Sequence, residues 1–350
     1  MLIYIVCIIV SYLFAYMAKR AKGNRKKMSF LIVSIMIPTL VAGFRYNNGT
    51  DYNLYTNIFN TIRGGNTFYS VKSIEVGFVV LVKAALIFSK SPVFMFLLCA
   101  AVINTFYYIG SLKMSANLSF SILLFFITGT FFDSFNGLRQ YIAAAIIFFS
   151  YQYLLNNETK KYVVCILVAT LFHYSALIML PLYFVFKQRF SLKKTIIIIS
   201  MVLFGGSYVL EIATNLLRFT RYSYFIGSVE YKVIVTAASI LYTSIITVFF
   251  TYQMVKRKHI ITDRQKQLYS IQVVILLAAL SSLFIPLSAR LQYYFLPMEM
   301  IVVPEIVAIA PKRTKRIIKC VLATMYIVIV GYGMLFNNWY DCLPYNFYFS

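Results

Sequence analysis

MLIYIVCIIVSYLFAYMA (1–18) runs straight into KRAKGNRKK (19–27) and then into MSFLIVSIMIPTLVAGF (28–44). Each apolar run is close to the roughly 20 residues that cross a bilayer. The link between them carries Lys19, Arg20, Lys22, Arg25, Lys26 and Lys27. Such a link reads as a cytoplasmic loop between two membrane spans, with the N-terminus outside. No basic residue precedes the first run, which is the wrong polarity for a secretory signal.

The rest of the chain repeats this texture. Of 350 residues, 61% are hydrophobic and 12% charged, with a mean hydropathy of +0.78. No soluble domain of this size has the interior to hide so much hydrocarbon, which excludes a water-soluble enzyme or nucleic-acid binder. The net charge of +23 therefore points to loops at a membrane surface, not to nucleic acid. Five scattered cysteines and two histidines, His173 and His259, form no metal-binding or disulfide pattern.

Further apolar runs lie at 74–88, 92–112, 117–132, 138–155, 162–186, 195–212, 233–255, 268–285, 291–310 and 317–336. If every run crossed once, Lys160-Lys161 and the cluster Lys312 to Lys319 would fall on opposite sides. Two adjustments remove the conflict. Residues 74–89 carry Glu75 and Lys83, costly at bilayer depth, and read as a short helix on the outer surface. Residues 162–187 carry His173 at their centre and read as a helical hairpin turning there. The expectation is a single all-α polytopic domain over 1–350, with about ten full spans plus the hairpin. An outer loop covers 45–73 and an outer tail covers 337–350.

Most cations then lie in inner loops, but Arg45, Arg63, Lys72, Lys83, Lys90, Arg139, Arg218, Arg221, Lys232 and Arg290 do not. Three of these, Arg45, Arg139 and Arg290, sit at the outer mouths of apolar runs, where topology requires no arginine. Arg218 and Arg221 could contact an anionic substrate, but read rather as contacts to lipid head groups. In Arg45-Tyr46-Asn47-Asn48-Gly49-Thr50-Asp51-Tyr52-Asn53-Leu54-Tyr55 a cation and a carboxylate stand six residues apart among tyrosines. They could pair with each other, and the tyrosines read mainly as interfacial anchors. In Asp133-Ser134-Phe135-Asn136-Gly137-Leu138-Arg139-Gln140, Asn136 reads as an N-cap and Arg139 lies in the first helical turn. A cation there is unfavourable to the helix itself, whereas a helix N-terminus plus a guanidinium makes an anion site. His173, in Phe172-His173-Tyr174-Ser175-Ala176, is expensive to bury in an apolar run.

Together, Arg45-x5-Asp51-Tyr52-x2-Tyr55, Asn136-Gly-Leu-Arg-Gln-x-Ile-Ala143, Phe172 to Ala176 and Pro344-Tyr345 resemble the EpsG family. Those are multi-span proteins of exopolysaccharide, capsule and O-antigen clusters, related to Wzy-type polymerases. The resemblance implies a helical bundle in a GT-C-like arrangement in the bacterial cytoplasmic membrane. It implies polymerisation of polyprenyl-diphosphate-linked oligosaccharide repeat units on the outer face, with neither cofactor nor metal. A flippase and a chain-length regulator are the implied protein partners, beside membrane lipid; nucleic acid is not among them.

The diphosphate leaving group of such a transfer needs neutralising in a poorly solvated place, a task suited to arginine. Arg139 is the first choice, with Arg45, Arg290, Tyr52 and Asn136 as further substrate-binding candidates. Asp51 and His173 are both candidates for the base, and the sequence does not choose between them. Two other functions compete. A flippase for the same lipid-linked units would expose its cations to both sides in turn and often shows an internal repeat, of which none is evident. A membrane acyltransferase would use a buried histidine such as His173, but no second acyl-transfer signature accompanies it.

Overall fold

The computed structural model describes residues 1–65, 74–217, 233–284 and 288–348. Lys72, Arg218, Arg221 and Lys232 lie outside the described residues. The described chain is helical throughout, with a single isolated antiparallel bridge between Arg45 and Phe347. It groups into two compact units, Met1–Leu180 with Val321–Ser350, and Pro181–Cys320.

In the first unit the helices are α1 Leu2–Arg20, α2 Asn24–Gly43, α3 Tyr52–Arg63, α4 Val76–Phe88, α5 Pro92–Met114, α6 Leu118–Ile127, α7 Thr130–Asp133, α8 Leu138–Leu155 and α9 Thr159–Thr170. α1 and α2 are joined through Gly23 and packed by reciprocal bonds: the Ser11 hydroxyl donates to the Ser34 carbonyl at 3.0 Å and the Ser34 hydroxyl to that of Ser11 at 2.7 Å. Paired small polar residues of this kind hold helices together where surrounding lipid supplies no hydrophobic drive. Ser91, followed by Pro92, caps α5 by accepting from the Val93 N–H at 3.3 Å, and Asn117 caps α6 by accepting from Phe120 at 3.4 Å.

The start of α1, the end of α2 and the starts of α5 and α8 share one end of this unit. Tyr4 donates to the Cys342 carbonyl, Ser91 to the Tyr348 hydroxyl and Asn136 to the Tyr340 carbonyl, so the C-terminal segment 340–348 ties that end together. Lys19 to Lys27, Lys113, Lys160 and Lys161 follow α1, end α5 and begin α9, at the opposite end. The amphipathic α3 forms inside the 45–73 stretch, burying Tyr52, Tyr55, Phe59 and Ile62. α4 is 13 residues, about 20 Å at 1.5 Å per residue and short of a roughly 30 Å hydrocarbon core; it exposes Lys83. After α9 the chain reverses at His173, and the Tyr162 hydroxyl donates to the Met179 carbonyl at 2.8 Å.

Two further helices cross the division between the units: α10 (Met179–Lys187) and, after the second unit, α16 (Lys315–Phe336). The second unit contains α11 Leu192–Leu217, α12 Val233–Lys256, α13 Asp263–Ser281, α14 Ser288–Phe295 and α15 Glu299–Ile309. Thr262 and Gln265 form a capping box at the start of α13. Inside, the Gln272 amide donates to the Thr247 hydroxyl at 3.3 Å and to Glu299 Oε1 at 3.4 Å, joining α13 to α12 and α15. Among the described residues six helices are long and apolar enough to cross a membrane, beside shorter apolar helices such as α4 and α6.

Candidate functional site

Three chain segments converge at the end of the first unit that the C-terminal segment ties together. The first is the start of α4. Gly77 donates its N–H to the Leu171 carbonyl at 2.8 Å, and a Cβ on Gly77 would stand 2.7 Å from that oxygen. Only a glycine lets α4 approach the turn after α9 this closely. The approach delivers Glu75, 3% exposed, to His173.

Glu75 joins the other two segments. Its Oε1 lies 3.0 Å from His173 Nδ1 and accepts from the Tyr174 N–H at 3.4 Å; its Oε2 lies 2.5 Å from Arg139 Nη1. Arg139 sits in the first turn of α8 and keeps 21% of its side chain exposed, His173 26%. Burial raises the Glu75 carboxyl, but the His173 hydrogen bond and the Arg139 charge outweigh it and leave the group below the usual carboxylate value. Two chemically useful side chains, a cation and an imidazole, are thus held on one ionised carboxylate and reach solvent.

In the sequence Glu75 stands out only as a charge too costly for the bilayer. Its partners lie 64 and 98 residues away, so no local pattern announces it.

The start of α8 differs from expectation. The cap position is Gly137, in the left-handed region at φ 59, and not Asn136. The Asn136 amide is turned away: it donates to the Tyr340 carbonyl at 3.1 Å and accepts from the Thr50 hydroxyl at 3.1 Å. Nor is the helix end an open anion site. Asp51 Oδ2 accepts from the Gly137 N–H at 2.8 Å, and the Tyr55 hydroxyl accepts from the Arg139 N–H at 3.4 Å. The chain's own carboxylate meets the positive end of the helix.

Arg45, a further candidate, lies in the interior of this end. It is 1% exposed, with its guanidinium between the rings of Phe96 and Phe135, 4.6 Å from each centroid. Its nitrogens donate to the carbonyls of Ala42, Asn48 (3.2 Å) and Phe135 (3.2 Å). Burial pushes the group down to about 10, so it stays protonated at neutral pH. This guanidinium is held by three backbone carbonyls; of the two readings open for it, the ion pair with Asp51 is not formed among the described residues, and Asp51 accepts from Gly137 at the start of α8. Tyr52, expected to touch substrate, is 4% exposed and stacked on Phe96 at 4.8 Å. Tyr46 is the exposed tyrosine of this stretch, at 52%. Arg290 is half-buried on α14, in the second unit.

Asp133 is a further carboxyl at this end, which no sequence pattern singles out. Burial raises it to about 7, against a hydrogen bond from Tyr141. The arrangement as a whole can hold an anion at Arg139 and accept a proton beside it. The family model of the EpsG family matches residues 28–347. No curated protein and no solved structure matches.

Proposed function

The chain belongs to the EpsG family, and on that premise we propose that it joins polyprenyl-diphosphate-linked oligosaccharide repeat units by glycosyl transfer. The family is associated with polysaccharide polymerase activity. The observation that carries the reading is the convergence of Arg139 and His173 on Glu75. A glycosyl donor linked through diphosphate needs a cation for the departing group and a base for the incoming hydroxyl, and both stand here within one cluster. A planar, permanently charged guanidinium suits a diphosphate in bidentate fashion. Asp51 and His173 both lie at this end, and either is a base in this reading. Arg290 enters the proposal on its sequence setting alone, between two apolar runs.

The basic residues of the first unit support a placement of this chemistry on the outer face of a bacterial cytoplasmic membrane. Lys19 to Lys27, Lys113, Lys160 and Lys161 lie at the end opposite the cluster, which the positive-inside rule puts in the cytoplasm. Exopolysaccharide, capsule or O-antigen synthesis is the setting such a polymerase serves, with a flippase supplying its substrate and a chain-length regulator beside it.

The test is reconstitution. Purified full-length protein in liposomes, given lipid-linked repeat units, is expected to yield chains of many units. Units that only change leaflet would make the protein a flippase, and acylated sugars an acyltransferase; either result overturns the proposal.

A further inference from the structure

Two carboxylates beside Arg139 differ in what holds them. Asp51 accepts the Gly137 N–H at 2.8 Å and so completes the start of α8. Protonating it during turnover would remove the charge that faces the helix start and weaken the cap at every cycle. The Glu75 side chain caps no α-helix, and its bond from the Tyr174 N–H is longer, at 3.4 Å. Among the described residues it is the hydrogen-bond partner of the His173 ring, through Nδ1 at 3.0 Å, and the ring remains 26% exposed.

We infer that Glu75 and His173 form the proton-accepting pair of the proposed transfer, with Glu75 as a positioning residue that also occupies Arg139 until a diphosphate displaces it. The inference rests on the polymerase reading. An imidazole whose Nδ1 donates to a carboxylate has its tautomer fixed, which leaves Nε2 as the acceptor. In the transfer, the bond between the anomeric carbon and the diphosphate oxygen breaks, and its electron pair leaves with the diphosphate. The acceptor hydroxyl oxygen bonds to that carbon, and its proton passes to His173 Nε2. Arg139 meets the charge of the departing diphosphate, while Glu75 meets that of the imidazolium. When the imidazolium returns its proton to water and the lipid diphosphate departs, Glu75 pairs again with Arg139.

This double duty separates the two effects of removing the carboxylate. Glu75→Gln leaves the imidazole without its anion, so kcat falls on the order of 100-fold. The same change frees Arg139 from a competitor, so KM for the lipid-linked donor does not rise. A residue that only supported the fold would lower the amount of competent protein and leave the kcat per folded molecule unchanged.

A double-mutant cycle in liposomes tests the pair, with polymer formation read per molecule of folded protein in wild type, Glu75→Gln, His173→Gln and both together. The expected result is that Glu75→Gln lowers kcat strongly alone and not further in the His173→Gln background. Independent, multiplicative losses, or a wild-type kcat in Glu75→Gln, overturn the inference while the polymerase reading stands. No polymer from the wild-type protein overturns that reading and the inference with it. Should Glu75→Gln fail to fold, Glu75→Asp carries the same cycle: it keeps the charge and draws it off the imidazole by one methylene.

Discussion

Asp51 and Gly137, 86 residues apart, are joined by a 2.8 Å hydrogen bond from the Gly137 N–H to Asp51 Oδ2. The loop after α2 thereby terminates α8 at its start, and the carboxylate satisfies one of the donors a helix leaves unpaired. Asp51→Ala is expected to destabilise the protein by about 1 kcal/mol. Asp51→Asn keeps an acceptor and loses less. Chemical unfolding in detergent measures both, and a stability equal to wild type in the alanine variant would remove Asp51 from this role.

Arg45 is expected to behave as a framework residue. Replacing it by methionine keeps the bulk between Phe96 and Phe135 but orphans the carbonyls of Ala42, Asn48 and Phe135. Each buried acceptor so exposed costs about 1–3 kcal/mol. Arg45→Lys supplies a point charge that cannot fork across three carbonyls and falls between. The yield of folded protein should drop in that order, while whatever folds keeps the wild-type KM for donor. A raised KM in well-folded Arg45→Lys would return this residue to substrate binding.

The contrast between Arg45 and Arg139 shows what the sequence disclosed. Both break the positive-inside pattern, and both were expected at a diphosphate. Arg45 is held by backbone carbonyls, which leave no signature in side-chain order. Arg139 and His173 stand out in the sequence because each is an odd choice for its local setting, and the fold brings both to Glu75. The role of Glu75 does not, because its meaning lies in two partners brought close only by the fold. The helical membrane character follows from hydropathy alone, whereas the cap from Asp51 and the tying of Tyr4, Asn48 and Asn136 to residues 340–346 join positions far apart in sequence and exist only in the fold.

Gly77→Ala offers a test in which local and tertiary preferences oppose each other. Alanine favours an isolated helix over glycine by roughly 1 kcal/mol. Here its Cβ would meet the Leu171 carbonyl at 2.7 Å and force α4 from the turn that carries His173. The expected result is a folded protein of lower thermal stability, with polymerisation reduced at least about 10-fold because the Glu75–His173 spacing opens. Higher stability with full activity would show that the contact yields freely.

Glu75 and Asp133 carry opposite pH signatures. The carboxyl of Glu75 is lowered on folding, so its stabilising effect is present above the ordinary carboxylate value and is lost as pH falls through its folded value. That of Asp133 is raised from 3.8 to about 7, so the fold prefers it neutral and stability falls as pH rises between those values. Asp133→Asn should abolish that decline, and Glu75→Gln should abolish the loss at the acid end. Thermal midpoints across this range measure both, and an Asp133→Asn profile parallel to wild type would contradict the assignment.

The central claim is that Arg139 serves a transfer whose leaving group is a lipid diphosphate. Its most direct measurement counts polyprenyl diphosphate released against glycosidic linkages formed, in liposomes holding purified protein and lipid-linked repeat units. The account predicts one diphosphate for each linkage with the wild-type protein, and neither product with Arg139→Ala inserted in the membrane at the wild-type level. Chains formed without diphosphate release, or formed at the wild-type rate by Arg139→Ala, would contradict it.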